Sequence, residues 1–503
     1  MNQGDWPMRT LTLLLAASLL AAACGTTQVR NPVTGKTERT VMDEAAEVAE
    51  GRKAHEAVMA EYGGALNNPK LAAYVNEVGQ RLARQSHRAN LQWTFTVLDS
   101  PDVNAFALPG GYVYVTRGIM AYMDSEADLA GVIGHEIGHV TARHGAQRAT
   151  RQQRAGAGVM AATVLGVLLE AAGVGGAAQA ANQVSTGIAA GNIASYSREQ
   201  ELQADRLGAE YLSRTGYNPK NMVDVIGVLR DQERFAADSA RAAGKKVPEG
   251  GNWLASHPSN DQRLAEITKI AANYKGQYGD DFRARYLQAI EGITYGDGRE
   301  QGVVRGQTFY HEPLGLVLTA PAGWSFDNNP DELYVINPAG DAAVVMKLVP
   351  PNAGKTHEEI LRNGFKATQG RVERNPVGGF ESTYFVGQRQ VQNNPAQPLE
   401  VTLVNGPGNR TYAFLHAGRD AATLQRNRAP MRETTASFRA FAAADRAAAR
   451  PWTVRTASMP AGGFAELARR SPLGAQAERQ LRLINGVYTG GTIAPGRTVK
   501  IVE

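Results

Sequence analysis

The run Gly134-His135-Glu136-Ile137-Gly138-His139 constrains this chain more than any other segment. Two histidines four residues apart on a helix lie about 40° apart around its axis, so both can grip one ion. Glu136 projects beside them, where a carboxylate can take a proton from a water activated by that ion. Upstream, Ser125-Glu126-Ala127-Asp128 reads as an N-cap with an acidic first turn, and Leu129, Val132, Ile133, Ile137 and Val140 recur at helical spacing. The sequence therefore predicts a buried helix that carries two metal ligands and a general base, the layout of a zinc hydrolase.

A catalytic zinc takes three protein ligands and keeps one position open. His144 is a poor third ligand. On a continuous helix it turns to the face opposite His135, and Ala142 stands where the HExxHxxGxxH class has glycine. A packing role, or one behind a ligand, suits it better. The stretch Ser197-Arg198-Glu199-Gln200-Glu201-Leu202-Gln203-Ala204-Asp205 opens a second helix with Leu202, Leu207, Tyr211 and Leu212 at apolar positions. Glu201 and Asp205 share one of its faces. Spacing leaves two readings open: a carboxylate completing a His2Glu site with a second one orienting a histidine, or a solvated acidic face.

Taken together, His135 to His139, Glu201-Leu202-Gln203-Ala204-Asp205 and Asn104-Ala105-Phe106-Ala107-Leu108-Pro109-Gly110-Gly111 resemble the zinc metallopeptidase family of CAAX prenyl endopeptidases, HtpX and BepA-type proteases. The resemblance covers residues 43–274. It implies one zinc ion per chain, Glu201 as the third ligand, Asp205 as its supporting residue, and a mainly α-helical zincin-type fold with a small β-sheet. It also implies that Asn104, Ala105, Phe106 and Ala107 form an edge strand that pairs with an extended polypeptide substrate. Ser256-His257-Pro258-Ser259, with Arg263 six residues after the histidine, resembles the family's downstream segment that approaches the metal. There His257 polarises the substrate carbonyl or, in a closed form, fills the open position, and Arg263 stands behind the ligands. Read alone, the same residues are a helix start before Leu264 and Ile267. The expected reaction is peptide hydrolysis with Glu136 as base and then acid.

Residues 11–23 are an uninterrupted run of apolar and small residues, too short for a mature transmembrane helix, ending at Ala21-Ala22-Ala23-Cys24-Gly25. This resembles a bacterial lipoprotein signal, and Cys24, the single cysteine, falls at the lipidation position. The expected location is the bacterial cell envelope, lipid-anchored to a membrane, facing the periplasm and most consistent with the outer membrane. With one cysteine no internal disulfide can form, so stability must come from packed cores. The length of 503 residues and 43% hydrophobic content allow several of these. A net charge of +5 without Lys/Arg runs gives no indication of nucleic acid as a partner.

The organisation read from the chain is a signal peptide over 1–23, a polar tether over 24–42, a zinc metallopeptidase domain over 43–298, an α+β domain over 305–444 and a small α/β module over 452–503. Between the metal helices, 155–195 is rich in Ala and Gly and reads as a buried helical hairpin or as a lid or membrane-facing segment. In the α+β domain, strands are expected over 314–319, 332–336, 342–348, 382–386, 399–404 and 410–415, with helices over 357–363 and 421–434. His311, His357 and His416 are unpatterned and read as structural. In the last module a helix, then Leu483-Ile484-Asn485-Gly486, then Pro495-Gly496 before a final strand resembles LysM, implying peptidoglycan as a ligand. A structural cap is the other reading, since Thr453-Val454-Arg455 lacks the usual GlyAspThr turn. Alternatives to a polypeptide-cleaving enzyme are a wall-bound scaffold whose zinc site is closed by His257, and a peptidoglycan endopeptidase.

Overall fold

The computed structural model describes residues 27–151, 196–242, 257, 261–329, 331–390 and 396–503. Cys24, the segment 155–195 and the neighbours Ser256, Pro258 and Ser259 of His257 lie outside the described residues. Among the described residues no helix is long and apolar enough to cross a membrane.

The expected tether is a correction. Strands β1 (Thr27–Arg30) and β2 (Thr37–Thr40) pair as an antiparallel hairpin. Asn31 closes the turn by accepting at Oδ1 from the amides of Val33 and Thr34. The hairpin is fastened to the segment that follows α3 in the chain: Glu38 accepts from Gln147, and the hydroxyls of Thr40 and Thr150 meet at 3.2 Å. The polar composition reflects these contacts rather than a solvated linker.

Helix α1 (Glu44–Glu61) starts at Asp43, whose carboxylate accepts from the Ala46 amide. Helix α2 (Pro69–Ala83) is capped by Asn68, with proline in its first turn. Its apolar face, including Leu71, Val75, Val78 and Leu82, packs into the main core. A three-stranded sheet follows in the order β3 (Thr94–Leu98), β5 (Tyr112–Thr116), β4 (Ala105–Leu108), with β3 parallel and β4 antiparallel to the centre. The turn from β4 to β5 needs left-handed backbone at Gly110 (φ 83°) and Gly111 (φ 100°), which glycine supplies without strain.

Helix α3 (Glu126–Thr141) is capped by Ser125 and buried at every position. It packs on α4 (Arg198–Arg214), where Ser197 and Gln200 form a capping box. Three glycines let these helices approach. A Cβ on Gly138 would lie 2.8 Å from the Ala204 carbonyl oxygen, and one on Gly208 would lie 3.1 Å from the His135 nitrogen. Helices α5 (Lys220–Ala242), α6 (Asp261–Ala272) and α7 (Arg283–Ile290) complete this part.

The next unit opens at Val303, two residues before the expected boundary. Its seven-stranded antiparallel sheet runs Ser325–Asn328, Glu332–Ile336, Ala342–Leu348, Arg410–Gly418, Gln397–Gly406, Ser382–Arg389, Ala367–Glu373. Helix α8 (Ala421–Ala436) buries Met431 in the core beneath it. Strand Ala367–Glu373 was not anticipated, because it is a largely exposed edge of polar residues without apolar alternation. The expected helix over 357–363 is one short turn, His357–Glu359, continued by a π-turn, Ile360–Gly364.

In the last unit, strand Trp452–Ser458 pairs with Thr498–Val502, with helices Gly463–Ala468 and α9 (Ala477–Ile484) between them. Thr294–Tyr295, just after α7, adds a third strand. The Lys500 ammonium is fully buried and donates to the carbonyls of Ala121 and Met123, just before α3. Arg479 and Tyr488 both reach Asp238 on α5, at 3.0 and 2.8 Å.

Candidate metal centre

His135 and His139 leave α3 on one face, Glu201 leaves α4 toward them, and His257 arrives just ahead of α6. The ligand atoms of these four buried residues all lie within 4.8 Å of one another. His135 Nε2 is 3.0 Å from His139 Nε2, 3.2 Å from His257 Nδ1 and 3.5 Å from Glu201 Oε2. His139 Nε2 is 3.5 Å, and His257 Nδ1 3.1 Å, from Glu201 Oε1.

These separations fit a tetrahedral ion. At zinc–nitrogen distances of about 2.0–2.1 Å, the edge of a regular tetrahedron is roughly 3.3–3.4 Å. The chemistry of the nitrogens agrees. His135 Nδ1 lies 2.9 Å from Asp205 Oδ1, which places its hydrogen there and turns the Nε2 lone pair inward. That lone pair then faces two further imidazole nitrogens and a carboxylate, an arrangement of donors that a divalent cation satisfies. Zinc is the natural occupant of a site built from imidazole and one carboxylate.

Arg263 holds the centre from behind. It is fully buried, grips Asp205 through Nε and Nη2 at 2.8 Å each, places Nη1 2.8 Å from Glu201 Oε2 and donates to the His257 carbonyl at 3.0 Å. One guanidinium therefore positions a ligand, the residue that orients a ligand, and the backbone of the fourth donor.

The electrostatics follow. Burial alone would raise Glu201, but His257, His135 and Arg263 hold its carboxyl well below the usual range. Burial would likewise raise Asp205, and Arg263 outweighs it. Burial works to lower His135, yet the Asp205 and Glu201 carboxylates lift it to about 9. His139 is driven down by burial and by the His135 ring beside it. A site that keeps its carboxylates ionised while one ring attracts a proton is primed for a cation.

The structure thus brings together His135, His139, Glu201, His257, Asp205 and Arg263. Glu136 is buried on the same helix, with Oε1 3.6 Å from His257 Nε2. Ala105, Phe106 and Ala107 lie in β4 at the edge of the sheet, with Asn104 just before it. Ala107, Leu108 and Pro109 share a small recess with His139. Cys24 is not among the described residues.

His144 does not lie on a continuation of α3. That helix ends at Thr141, Arg143 takes φ 60°, and the His144 ring returns so that its Nδ1 lies 2.9 Å from His139 Nδ1. Gln203 anchors its other nitrogen at 2.9 Å. Burial pushes His144 down to about 4, so it stays neutral behind His139. The sequence reading missed Gln203, and it missed Tyr196, whose ring stacks on His139 at 3.9 Å between centroids. The only signal for either was proximity to the Glu201 helix start.

Residues 69–271 match the family model described as Peptidase family M48. The beta-barrel assembly-enhancing protease of Escherichia coli (strain K12) is 31% identical over 243 residues, covering 47% of this chain and 46% of that one. The mitochondrial metalloendopeptidase OMA1 of Schizosaccharomyces pombe is 29% identical over 216 residues, covering 42% and 58%. The chain spans about half the length of the curated relatives it matches. Among solved structures, cyanobacterial PsbP from Synechocystis covers 28% of this chain and 96% of its own at 12% identity, with a TM-score of 0.20 that supports no structural argument. From α2 to α6 the chain is thus similar to M48 peptidases and to metalloendopeptidases, a likeness that supports a metalloprotease hydrolase.

Proposed function

We propose that this protein is a zinc-dependent endopeptidase of the bacterial cell envelope that cleaves polypeptides, with misfolded or misassembled envelope proteins as its substrates. The observation that carries the reading is the buried cluster of His135, His139, Glu201 and His257 with Glu136 beside it. The relative named for assisting β-barrel assembly supports the substrate class, and the lipoprotein-like segment ending at Cys24 supports a lipid anchor facing the periplasm.

His135, His139 and Glu201 would hold the ion, and Asp205 and Arg263 fix the geometry of that set. Bound there, zinc supplies Lewis acidity to a water and to the scissile carbonyl. Glu136 takes the proton of the attacking water and returns it to the leaving amine, a task for which a buried carboxylate on the ligand helix is within reach. β4, an edge strand with no further strand on it among the described residues, would fix an extended substrate by main-chain hydrogen bonds. A second reading concerns the resting state: the place of His257 Nδ1 among the ligand atoms supports a capped form in which His257 fills the open position and swings aside to admit substrate.

The test is zinc-dependent casein hydrolysis by the wild type, Glu136→Gln and His257→Ala. Glu136→Gln should bind zinc yet lose at least about a hundredfold in rate; retained proteolysis removes Glu136 from the base role. Activity confined to His257→Ala would mark the wild type as self-capped. Release of muropeptides without casein cleavage would overturn the polypeptide assignment.

A further inference from the structure

A cleft of about 1350 Å³ lies between the peptidase part and the α+β domain. Tyr62, Asp99 and Asp102 contribute one wall, Asp327, Asp331 and Leu348 the other. Seven carboxylate side chains line it in a chain whose net charge is +5. Two of them have cationic partners: Asp99 pairs with Arg117 at 2.6 Å and Glu332 with Lys347 at 3.1 Å. Asp102, Glu300, Asp327 and Asp331 form no salt bridge among the described residues. The lining is also apolar in part, with Tyr334, Leu333 and Met346, and Leu348 is a large hydrophobic side chain left 42% exposed.

The position of this cleft matters as much as its charge. It starts at Asp102, two residues before Asn104 and the beginning of β4. Tyr62 from its wall packs on Phe106 of β4, 5.8 Å between ring centroids. The opposite end of β4 shares its recess with His139. One sheet edge, which no other strand covers among the described residues, therefore runs between the metal centre and the acidic cleft.

We propose that the cleft is an extended substrate subsite, which takes a basic, partly apolar segment of the polypeptide whose scissile bond lies at the zinc centre. This rests on the polypeptidase reading above and adds a substrate class to it. A chain paired with β4 and continued past Asn104 runs into the cleft. At about 3.3 Å per residue, β4 sets the distance so that residues roughly four to seven from the scissile bond enter it. Unanswered carboxylates attract Lys and Arg there, while Leu348 and the tyrosines take their aliphatic stems and any apolar neighbours. The volume exceeds the roughly 300–1,000 Å³ of ordinary small-molecule pockets, which favours a peptide segment over a lone cation.

The experiment measures binding apart from turnover. Labelled twelve-residue peptides with one shared central sequence and a Lys/Arg-rich, a neutral or a Glu-rich flank are titrated by fluorescence anisotropy into the full chain carrying Glu136→Gln. The basic peptide should bind about tenfold more tightly than the neutral one at low salt, and the advantage should shrink as ionic strength rises. In the same background Asp102→Asn, Asp327→Asn and Asp331→Asn together should bring that ratio close to one. Their positions are exposed or at turns, and an unaltered thermal midpoint establishes that the fold survives. Equal binding of the three peptides, or a ratio untouched by the triple substitution, overturns the subsite. Stoichiometric calcium binding in calorimetry with no peptide preference also overturns it, in favour of an ion site. Loss of casein cleavage in the unsubstituted chain would instead count against the peptidase reading and leave the binding result to be judged separately.

Discussion

Gly138 is where the metal centre depends most on the absence of a side chain. A Cβ at that position would stand 2.8 Å from the Ala204 carbonyl oxygen and 3.0 Å from its Cα. Both are backbone atoms of α4, so no rotamer change relieves the contact. Restoring ordinary separation requires α3 and α4 to part by about half an ångström, given that cores transmit overpacking as backbone shifts. Glu201 lies one turn before Ala204 on α4, so its carboxylate retreats from His135 and His139, from which it already stands 3.5 Å. Metal sites tolerate only about 0.2 Å of error in ligand distance. Gly138→Ala should therefore cost about 1–3 kcal/mol in stability, or roughly 2–12 °C in Tm, and lower zinc affinity by about tenfold or more. Gly134→Ala is the internal control: its Cβ would meet the Leu212 Cδ1 at 3.0 Å, the tip of a side chain that can turn away. The assay is chelator competition for zinc, together with calorimetric melting of metal-free and loaded protein. If Gly138→Ala binds zinc within about twofold of the wild type, or if Gly134→Ala is the worse of the two, helix proximity does not set ligand geometry and the reasoning fails.

Three further outcomes follow from the same structure. Arg263→Met leaves Asp205 and Glu201 without their guanidinium and should destabilise the metal-free protein by about 3–5 kcal/mol in urea unfolding, a loss below 1 kcal/mol counting against the buried network. Burial pushes Lys500 down to about 8 from an ordinary value of 10.5, against the pull of Asp124 and Asp128. Between those pH values the unfolded chain binds more protons than the folded one, so Lys500 makes stability rise from about pH 8 to 10.5. Lys500→Met should flatten that rise in denaturation curves, and an unchanged slope would remove Lys500 as its source. Asn31→Ala removes the acceptor for the Val33 and Thr34 amides and should expose 27–40 to limited proteolysis, with resistance equal to the wild type contradicting a hairpin held by that side chain.

The part of the centre written in local sequence was legible, because a helical repeat fixes which residues share a face. His135, Glu136 and His139 needed only the 3.6-residue period, and Ser125 announced where their helix begins. Glu201 and Asp205 could be put on one face of a second helix, but no period says which way that face turns. The direction comes from Gly138 and Gly208, whose missing side chains bring α4 against α3 with the carboxylates inward. His144 shows the same limit from the other side: extrapolating a helix past Thr141 sent its ring away from the metal, whereas the left-handed Arg143 brings it back behind His139. The hairpin over 27–40 was mistaken for a linker because its polar side chains find partners more than a hundred residues away, and composition does not distinguish a paired polar group from a solvated one.

Arg263 matters to the chemistry although it need never touch a substrate. Two helices and one loop must converge within a few tenths of an ångström, and each carries charge that would repel or be stranded without the others. Without Arg263, Asp205 would keep only His135 as a partner, Glu201 would stand one turn away on the same face of α4 as a like charge, and the His257 carbonyl would lose its donor. A planar cation with five donors in a rigid fork satisfies all three at once, which a lysine could not. Arg263→Lys should therefore keep the charge yet lose part of the geometry. Zinc affinity should fall even where folding survives, and equal affinity in that variant would show that charge alone, not the fork, assembles the site.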